Sequence, residues 1–222
     1  MEKKNTFGFD LIKILTTFEL NVSSECEHLN HWLSATYELD IFDQKVVDDV
    51  FLDIEESGEY MNEEELKARM VGLMFYASKI DVVGKIRVFY ERPLAAEVKG
   101  HYLAVITDCM VASPLKSNPI KPYFFLQEAP SRPSPKGKEN FYKVKKDPEA
   151  QMLSAMLIAQ TINADDKPIY GAYMIGTNTH FATLIGKNYC VSKKYEASYK
   201  DKLTKIIFIL RKLKDLIDNR YH

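Results

Sequence analysis

Apolar residues recur at helical spacing through the first quarter of the chain. Two short runs, Phe9–Phe18 and Leu29–Tyr37, each place their apolar residues on one face of a helix. A third run from Val46 to Ile54 follows Asp43, a residue type that favours the N-cap position. The pattern predicts helices across residues 8–56.

From residue 61 the pattern predicts one helix followed by three strands. Asn62 precedes three glutamates, which suit a helix N-terminus, and a buried stripe follows at Leu66, Met70, Leu73 and Ala77. Runs rich in β-branched and aromatic residues predict strands over 85–98, 101–111 and 123–127. The prolines between residues 114 and 119 predict a loop between the second and third strands.

The second half of the chain predicts a crossover helix and two further strands. Residues 130–146 are rich in Pro, Ser, Gly and Lys and predict a loop. Asp147-Pro148-Glu149 combines an N-cap, a proline at the first helical position and an acid in the first turn, so a helix is expected to Asn163. Strands over 168–175 and 181–185 and a last helix from about residue 198 complete an α/β (α+β) fold with a mixed central sheet.

Composition favours a cytoplasmic protein of one domain with a short extension. The chain has 222 residues, and no apolar run approaches the ~20 residues of a membrane-spanning helix. The first residues lack the apolar core and cleavage site of a secretory leader. The three cysteines lie far apart and do not resemble a disulfide framework.

Charge is segregated along the chain although its net value is −1. Residues 1–70 hold 6 Lys and Arg against 17 Asp and Glu, a net charge of −11, and the remainder carries +10. One interpretation is that the acidic part docks on the basic part of the same chain. The other is that a basic surface is available to phosphates. The sequence leaves both open.

Two carboxylates fall where adjacent strands are predicted to end. Asp108 closes the second strand of the central run and Glu128 closes the third. Neighbouring strands bring such side chains close together, and paired hard oxygen ligands suit Mg²⁺ or Mn²⁺. A metal held there would lower the pKa of its bound water. An acid at a strand end is, however, often only solvated, and spacing alone does not decide between the two.

Eight segments between Asn62 and Lys214, which together span roughly two-thirds of the chain, occur in the same order in a known group of proteins. They are NEEELK (62–67), YERPL (90–94), GHYLAVITDCMVA (100–112), PYFFLQE (122–128), DPEAQMLSAMLIAQ (147–160), PIYGAYMIG (168–176), KNYCVS (187–192) and IIFILRKLK (206–214). Through these segments the chain resembles proteins found in Bacteroidetes that have a PD-(D/E)XK nuclease-like fold. The resemblance implies an αβββαβ restriction-endonuclease-like core in residues 61–222, preceded by an acidic helical extension in residues 1–60.

The resemblance also implies roles for individual residues. Asp108 and Glu128 match the two acids that bind the metal in this superfamily. Glu64 or Glu65 resembles a further acid that many members place on the first core helix. Gln151 matches a glutamine that faces the site from the helix after the motif. The superfamily's motif lysine polarises the attacking water and the scissile phosphate.

This sequence departs from the motif at one position. Glu128-Ala129-Pro130 puts proline where lysine is expected, and proline offers neither an amine nor an N–H. Either a loop amine from Lys136, Lys138 or Lys143 replaces it, or the site is disabled. The first alternative predicts a Mg²⁺-dependent nuclease. The second predicts a non-catalytic module that binds nucleic acid or protein, and self-association into a homo-oligomer is open under both.

Overall fold

The computed structural model describes residues 8–58, 60–129 and 147–219. Its helices are α1 (Leu11–Thr17), α2 (Glu27–Leu33), α3 (Ile41–Ser57), α4 (Glu63–Leu66), a π-helical turn (Lys67–Val71), α5 (Gly72–Ser78), α6 (Pro148–Asn163) and α7 (Lys200–Asp218). Its strands are β1 (Asn21–Ser23), β2 (Arg87–Val98), β3 (His101–Leu115), β4 (Asn118–Ala129), β5 (Ile169–Ile175), β6 (Asn178–Ile185), β7 (Asn188–Val191) and β8 (Tyr195–Glu196).

The described strands form one mixed sheet in the order β1-β7-β6-β5-β4-β3-β2, with β8 added beside β6. Strands β4 and β5 are parallel, as are β1 and β7, and the other neighbours are antiparallel. The parallel β4–β5 pair is joined through α6, the crossover that a parallel pair requires. The predicted α/β class with a mixed central sheet is confirmed.

Helices cover both faces of the sheet. One apolar cluster joins α2, α3, α5 and α7 to side chains such as Cys109, Phe124 and Leu126. The other joins α1 and α6 to Phe89, Met110 and their neighbours. Strand β4 is buried on both faces, since Phe124 and Leu126 contribute to the first cluster and Phe125 to the second, which explains its uninterrupted apolar run.

The predicted start of α6 is confirmed in detail. The Asp147 side chain accepts hydrogen bonds from the N–H groups of Glu149 and Ala150, at 2.9 and 3.3 Å, and Pro148 occupies the first helical position. The predicted N-cap of α3 is wrong. Asp40 caps that helix, and its carboxylate accepts from the Asp43 N–H at 2.8 Å.

Two further expectations fail for local reasons. Residues 21–23 form strand β1 within a region where only helices are predicted, because β7 offers its edge for parallel pairing. The loop expected at 114–119 is a two-residue turn, since β3 continues to Leu115 and β4 starts at Asn118. Lys116 adopts a positive φ of 57° in that turn, and the strands absorb the prolines through irregular register beside Ala112 and Pro114.

The acidic N-terminal helices pack on the sheet and on α7. Trp32 is fully buried, donates from its indole N–H to the Ile209 carbonyl at 2.7 Å, and meets Phe124 edge-on. Asp43 is also buried, and it pairs with Arg211 at 2.9 Å and with Lys79 at 2.8 Å. These contacts support the interpretation that the acidic part docks on the basic part.

Among residues 8–58, 60–129 and 147–219, no helix combines the length and apolar character needed to cross a membrane.

Candidate active site

Asp108 lies where strands β3 and β4 stop pairing and diverge, a point called the fork below. Their ladder runs up to the pair Cys109–Leu126, beyond which β3 pairs with β2 and β4 pairs with β5. At the fork the Glu128 N–H donates to Oδ2 of Asp108 at 2.8 Å. A carboxylate therefore stands in for a strand carbonyl, and it fixes the Asp108 side chain against the backbone that carries Glu128.

The β2–β3 ladder is interrupted at the same level. Tyr90 pairs with Cys109 and Arg92 with Thr107, so Glu91 and Asp108 lie opposite one another between these pairs. Glu91 has φ 50°, in the left-handed region that non-glycine residues rarely adopt. Before the interruption the odd-numbered Phe89 packs on the α6 face. After it the even-numbered Leu94, Ala96 and Val98 pack there, so the alternation of side chains between the two faces of β2 reverses at this point. Irregularities of this kind re-aim side chains at functional sites.

Lys67 approaches this fork from the helical layer. It is the first residue of the π-helical turn, where the Gly72 N–H bonds to the Lys67 carbonyl five residues back. Its ammonium forms an ion pair with Glu91, and the Lys67 side chain is 14% exposed, against 56% for the Glu91 side chain. Single π-helical turns are uncommon and occur frequently at functional sites. The helix, the β2 irregularity and the fork thus meet at one place.

The charges around Lys67 favour its ammonium form. Burial by itself lowers the pKa of Lys67, but the hydrogen bond to Glu91 and the charges of Asp108, Glu91 and Glu128 together outweigh it. The net effect raises the pKa of Lys67 above its ordinary value. Lys67 is therefore cationic at neutral pH, and its ammonium interacts electrostatically with the carboxylates of Asp108 and Glu128.

Cys109 and Tyr90 line the same site in their protonated forms. The Cys109 thiol donates to Oε1 of Glu128 at 3.7 Å. Burial, and then the charges of Glu128 and Asp108, raise the pKa of Cys109 well above its ordinary value. Burial, with Cys109, Asp81 and Glu128 nearby, raises the pKa of Tyr90 to about 12. Cys109 is therefore no thiolate nucleophile.

The other predicted site residues are distributed as follows. Glu64 and Glu65 are exposed on α4, and Glu65 forms a capping box with Asn62 at 2.9 and 3.0 Å. Gln151 lies in the first turn of α6 and is 8% exposed. Pro130 and the loop amines Lys136, Lys138 and Lys143 lie outside the described residues. The roles that the resemblance implies for these residues stay predictions.

The donor set at the fork fits a small hard cation held in part by water. Among the described residues no group of three or more His, Cys, Asp or Glu side chains is arranged to hold a metal. Mg²⁺ needs fewer, since it keeps several waters and binds through one or two carboxylates together with substrate phosphates. Asp108 and Glu128 would supply two such carboxylates, and the Glu128 N–H joins them by its hydrogen bond to Asp108.

Sequence reasoning missed Lys67, Glu91 and Tyr90. Each lies within a segment that carries the resemblance, NEEELK or YERPL, but a helical lysine and a strand glutamate give no sign in sequence that they meet. Compared with known proteins, the chain matches no family model, and no curated protein matches it. The PD-(D/E)XK relationship accordingly stays a prediction.

Proposed function

We propose that the chain is a metal-dependent phosphodiesterase acting on nucleic acid, in which Lys67 takes the part of the missing motif lysine. The observation that carries this proposal is the position of the Lys67 ammonium, which is paired with Glu91 and lies in the field of Asp108 and Glu128. Proline at position 130 removes the amine expected after the motif acid, and Lys67 would supply one from the helical layer.

Asp108 and Glu128 would hold Mg²⁺ or Mn²⁺. When bound, the metal supplies a water of lowered pKa and stabilises charge on the phosphate. Asp108 is oriented for this task by its hydrogen bond from the Glu128 N–H. Cys109 donates to Glu128 from the buried side, which helps to fix that carboxylate.

Lys67 would act through its charge. An ammonium whose pKa is raised does not accept a proton from water at neutral pH, so it is not the general base. A fixed cation beside the scissile phosphate offsets the charge that develops as the phosphodiester is attacked. Glu91 holds this cation in place before substrate enters.

The test is cleavage of single- and double-stranded DNA and RNA with Mg²⁺, with Mn²⁺ and with EDTA. The proposal expects metal-dependent cleavage by the wild type and its loss in Asp108→Asn. Cleavage by Asp108→Asn at the wild-type rate would remove Asp108 from the site and with it the proposal.

A non-catalytic binding module is the second candidate function. The replacement of the motif lysine by Pro130 favours it, since such a loss is expected where catalysis has been abandoned. It expects salt-sensitive binding of nucleic acid, or protein binding, without cleavage under any metal condition. Cleavage that disappears with Asp108→Asn would exclude it.

A further inference from the structure

A shallow cleft on strand β2 carries two arginines. Its volume is about 200 Å³, and it is lined by Arg87, Val88, Phe89, Tyr90, Arg92 and Ser117. Strand β2 ends the order of the sheet, so the cleft lies at an edge. The volume is many times the ~10–15 Å³ that one water molecule needs, which leaves room for a hydrated polar group.

Phe89 holds the two arginines together. The guanidinium carbons of Arg87 and Arg92 each lie 5.8 Å from the centroid of the Phe89 ring. Arg87 and Phe89 share a face by ordinary alternation, and the reversal at Glu91 brings Arg92 to that face as well. The irregularity that aims Glu91 at Lys67 therefore also assembles the arginine pair.

Among the residues that the structure describes, the lining of the cleft includes no carboxylate. None of the ion pairs formed within residues 8–58, 60–129 and 147–219 involves Arg87 or Arg92. The Arg92 Nε is buried and has no hydrogen-bond partner there. Two guanidinium groups beside one aromatic ring, together with the unsatisfied Nε–H of Arg92, favour the binding of an anion. Guanidinium groups bind phosphate in two-pronged fashion, and the Ser117 hydroxyl adds a donor at the rim.

We propose that Arg87, Arg92 and Ser117 form a subsite for a backbone phosphate of nucleic acid. This phosphate would be the neighbour of the scissile phosphate bound at Asp108 and Glu128. This rests on the proposed function for the identity of the ligand. Glu91 and Arg92 are consecutive residues of the edge strand, and the carboxylate site and the arginine pair lie on opposite faces of that short stretch, with Tyr90 lining the cleft between them. A nucleic-acid strand crossing that edge would contact both, and the subsite would position the scissile phosphate by holding its neighbour.

The test measures binding apart from cleavage. A fluorescent single-stranded oligonucleotide is titrated with wild type, Arg87→Gln, Arg92→Gln and the double variant, with Ca²⁺ replacing Mg²⁺. We expect affinity to fall about tenfold per arginine removed. Between about 50 and about 200 mM salt, the slope of log affinity against log salt should become shallower by about 0.7 for each phosphate that the variant no longer binds. Arg69→Gln removes a surface arginine paired with Asp53 at 3.3 Å and should leave both quantities unchanged.

Arg87→Lys and Arg92→Lys guard against misfolding of the glutamine variants. Lysine retains the positive charge and the aliphatic part of the side chain but lacks the planar guanidinium group. Intermediate affinity with a wild-type melting temperature is therefore expected. The subsite is overturned if the wild type does not bind the oligonucleotide, or if the folded double variant binds like the wild type. It is also overturned if inorganic phosphate binds as tightly as the oligonucleotide and competes with it fully, which would indicate a site for the free anion.

The two proposals fail in different ways. Unchanged binding by the arginine variants, with cleavage that still needs Asp108, removes the subsite and leaves the enzyme. Weakened binding by those variants, in a protein that never cleaves, removes the enzyme and leaves the subsite.

Discussion

The backbone N–H of Glu128 donates to Oδ2 of Asp108 over 2.8 Å, at the point where β3 and β4 cease to pair. One carboxylate is thereby fixed to the chain segment that carries the other. Donor and acceptor both belong to the chain, so this hydrogen bond orients Asp108 through the protein's own backbone. It also gives Asp108 a structural role that can be separated from its charge.

Asp108→Asn and Asp108→Ala should separate these two roles. The asparagine side chain retains a carbonyl oxygen that accepts from the Glu128 N–H, so its free energy of unfolding should stay within about 1 kcal/mol of the wild type. The alanine variant leaves that N–H without its acceptor and should be destabilised by about 1.5–3 kcal/mol, the usual range for a hydrogen bond to a charged group. Urea denaturation gives both values. Equal stability of the two variants would contradict the assigned hydrogen bond.

Glu91 should reveal backbone strain when glycine and alanine are compared. Both substitutions remove the ion pair with Lys67, but only glycine adopts φ 50° without steric cost. We expect Glu91→Gly to be more stable than Glu91→Ala by about 1 kcal/mol, as judged by denaturant midpoints at equal slope. A more stable alanine variant would contradict this expectation, since it would show that the residue at position 91 is not held in the left-handed region in the variants.

Asp43 should be far more sensitive than an exposed acid of the same region. Asp43→Asn leaves Arg211, which is only 11% exposed, facing a neutral group, whereas Lys79 keeps its ion pair with Asp40 at 2.8 Å. Breaking a buried pair of this kind costs about 3–5 kcal/mol. The control Asp53→Asn removes an exposed pair with Arg69 and should cost at most about 1 kcal/mol. Similar destabilisation of the two variants would show that the docking of α3 does not depend on the buried pair.

Cys109 should resist alkylation in the folded protein. It is buried, and the pKa of its thiol is raised well above the ordinary value, so almost no thiolate forms at pH 8. Cys26 is half-buried and should react with iodoacetamide first. Peptide mapping after timed labelling distinguishes the two. Early modification of Cys109 would show that the site opens to solvent far more than its burial implies.

The sequence is a good guide to the fold and a partial guide to the site. Asp147-Pro148 predicts the start of α6 because capping is a local interaction, and the helical stripe from Leu66 to Ala77 follows from periodicity alone. Strand β1 escapes prediction because three exposed residues carry no pattern, and their strand character comes from the edge of β7. The shape of the site depends on long-range events of the same kind.

Lys67 illustrates why those events cannot be predicted locally. In sequence it is one lysine beside an apolar helical stripe, where a solvated side chain is the ordinary expectation. Its place at the fork requires the π-helical turn, the left-handed Glu91 and the end of the β3–β4 ladder together. The Asp108 and Glu128 pair could be proposed from the resemblance, whereas the ion pair of Lys67 with Glu91 beside them could not.

The most direct measurement compares the rate of Mn²⁺-dependent cleavage by wild type, Lys67→Met and Lys187→Met. Lys187 also forms a lysine–glutamate ion pair, with Glu19 at 2.5 Å, but it lies exposed on the turn before β7. If Lys67 replaces the motif lysine, Lys67→Met should remain folded and cleave about 10²-fold or more slowly, while Lys187→Met retains the wild-type rate. Cleavage by folded Lys67→Met at the wild-type rate would contradict the account.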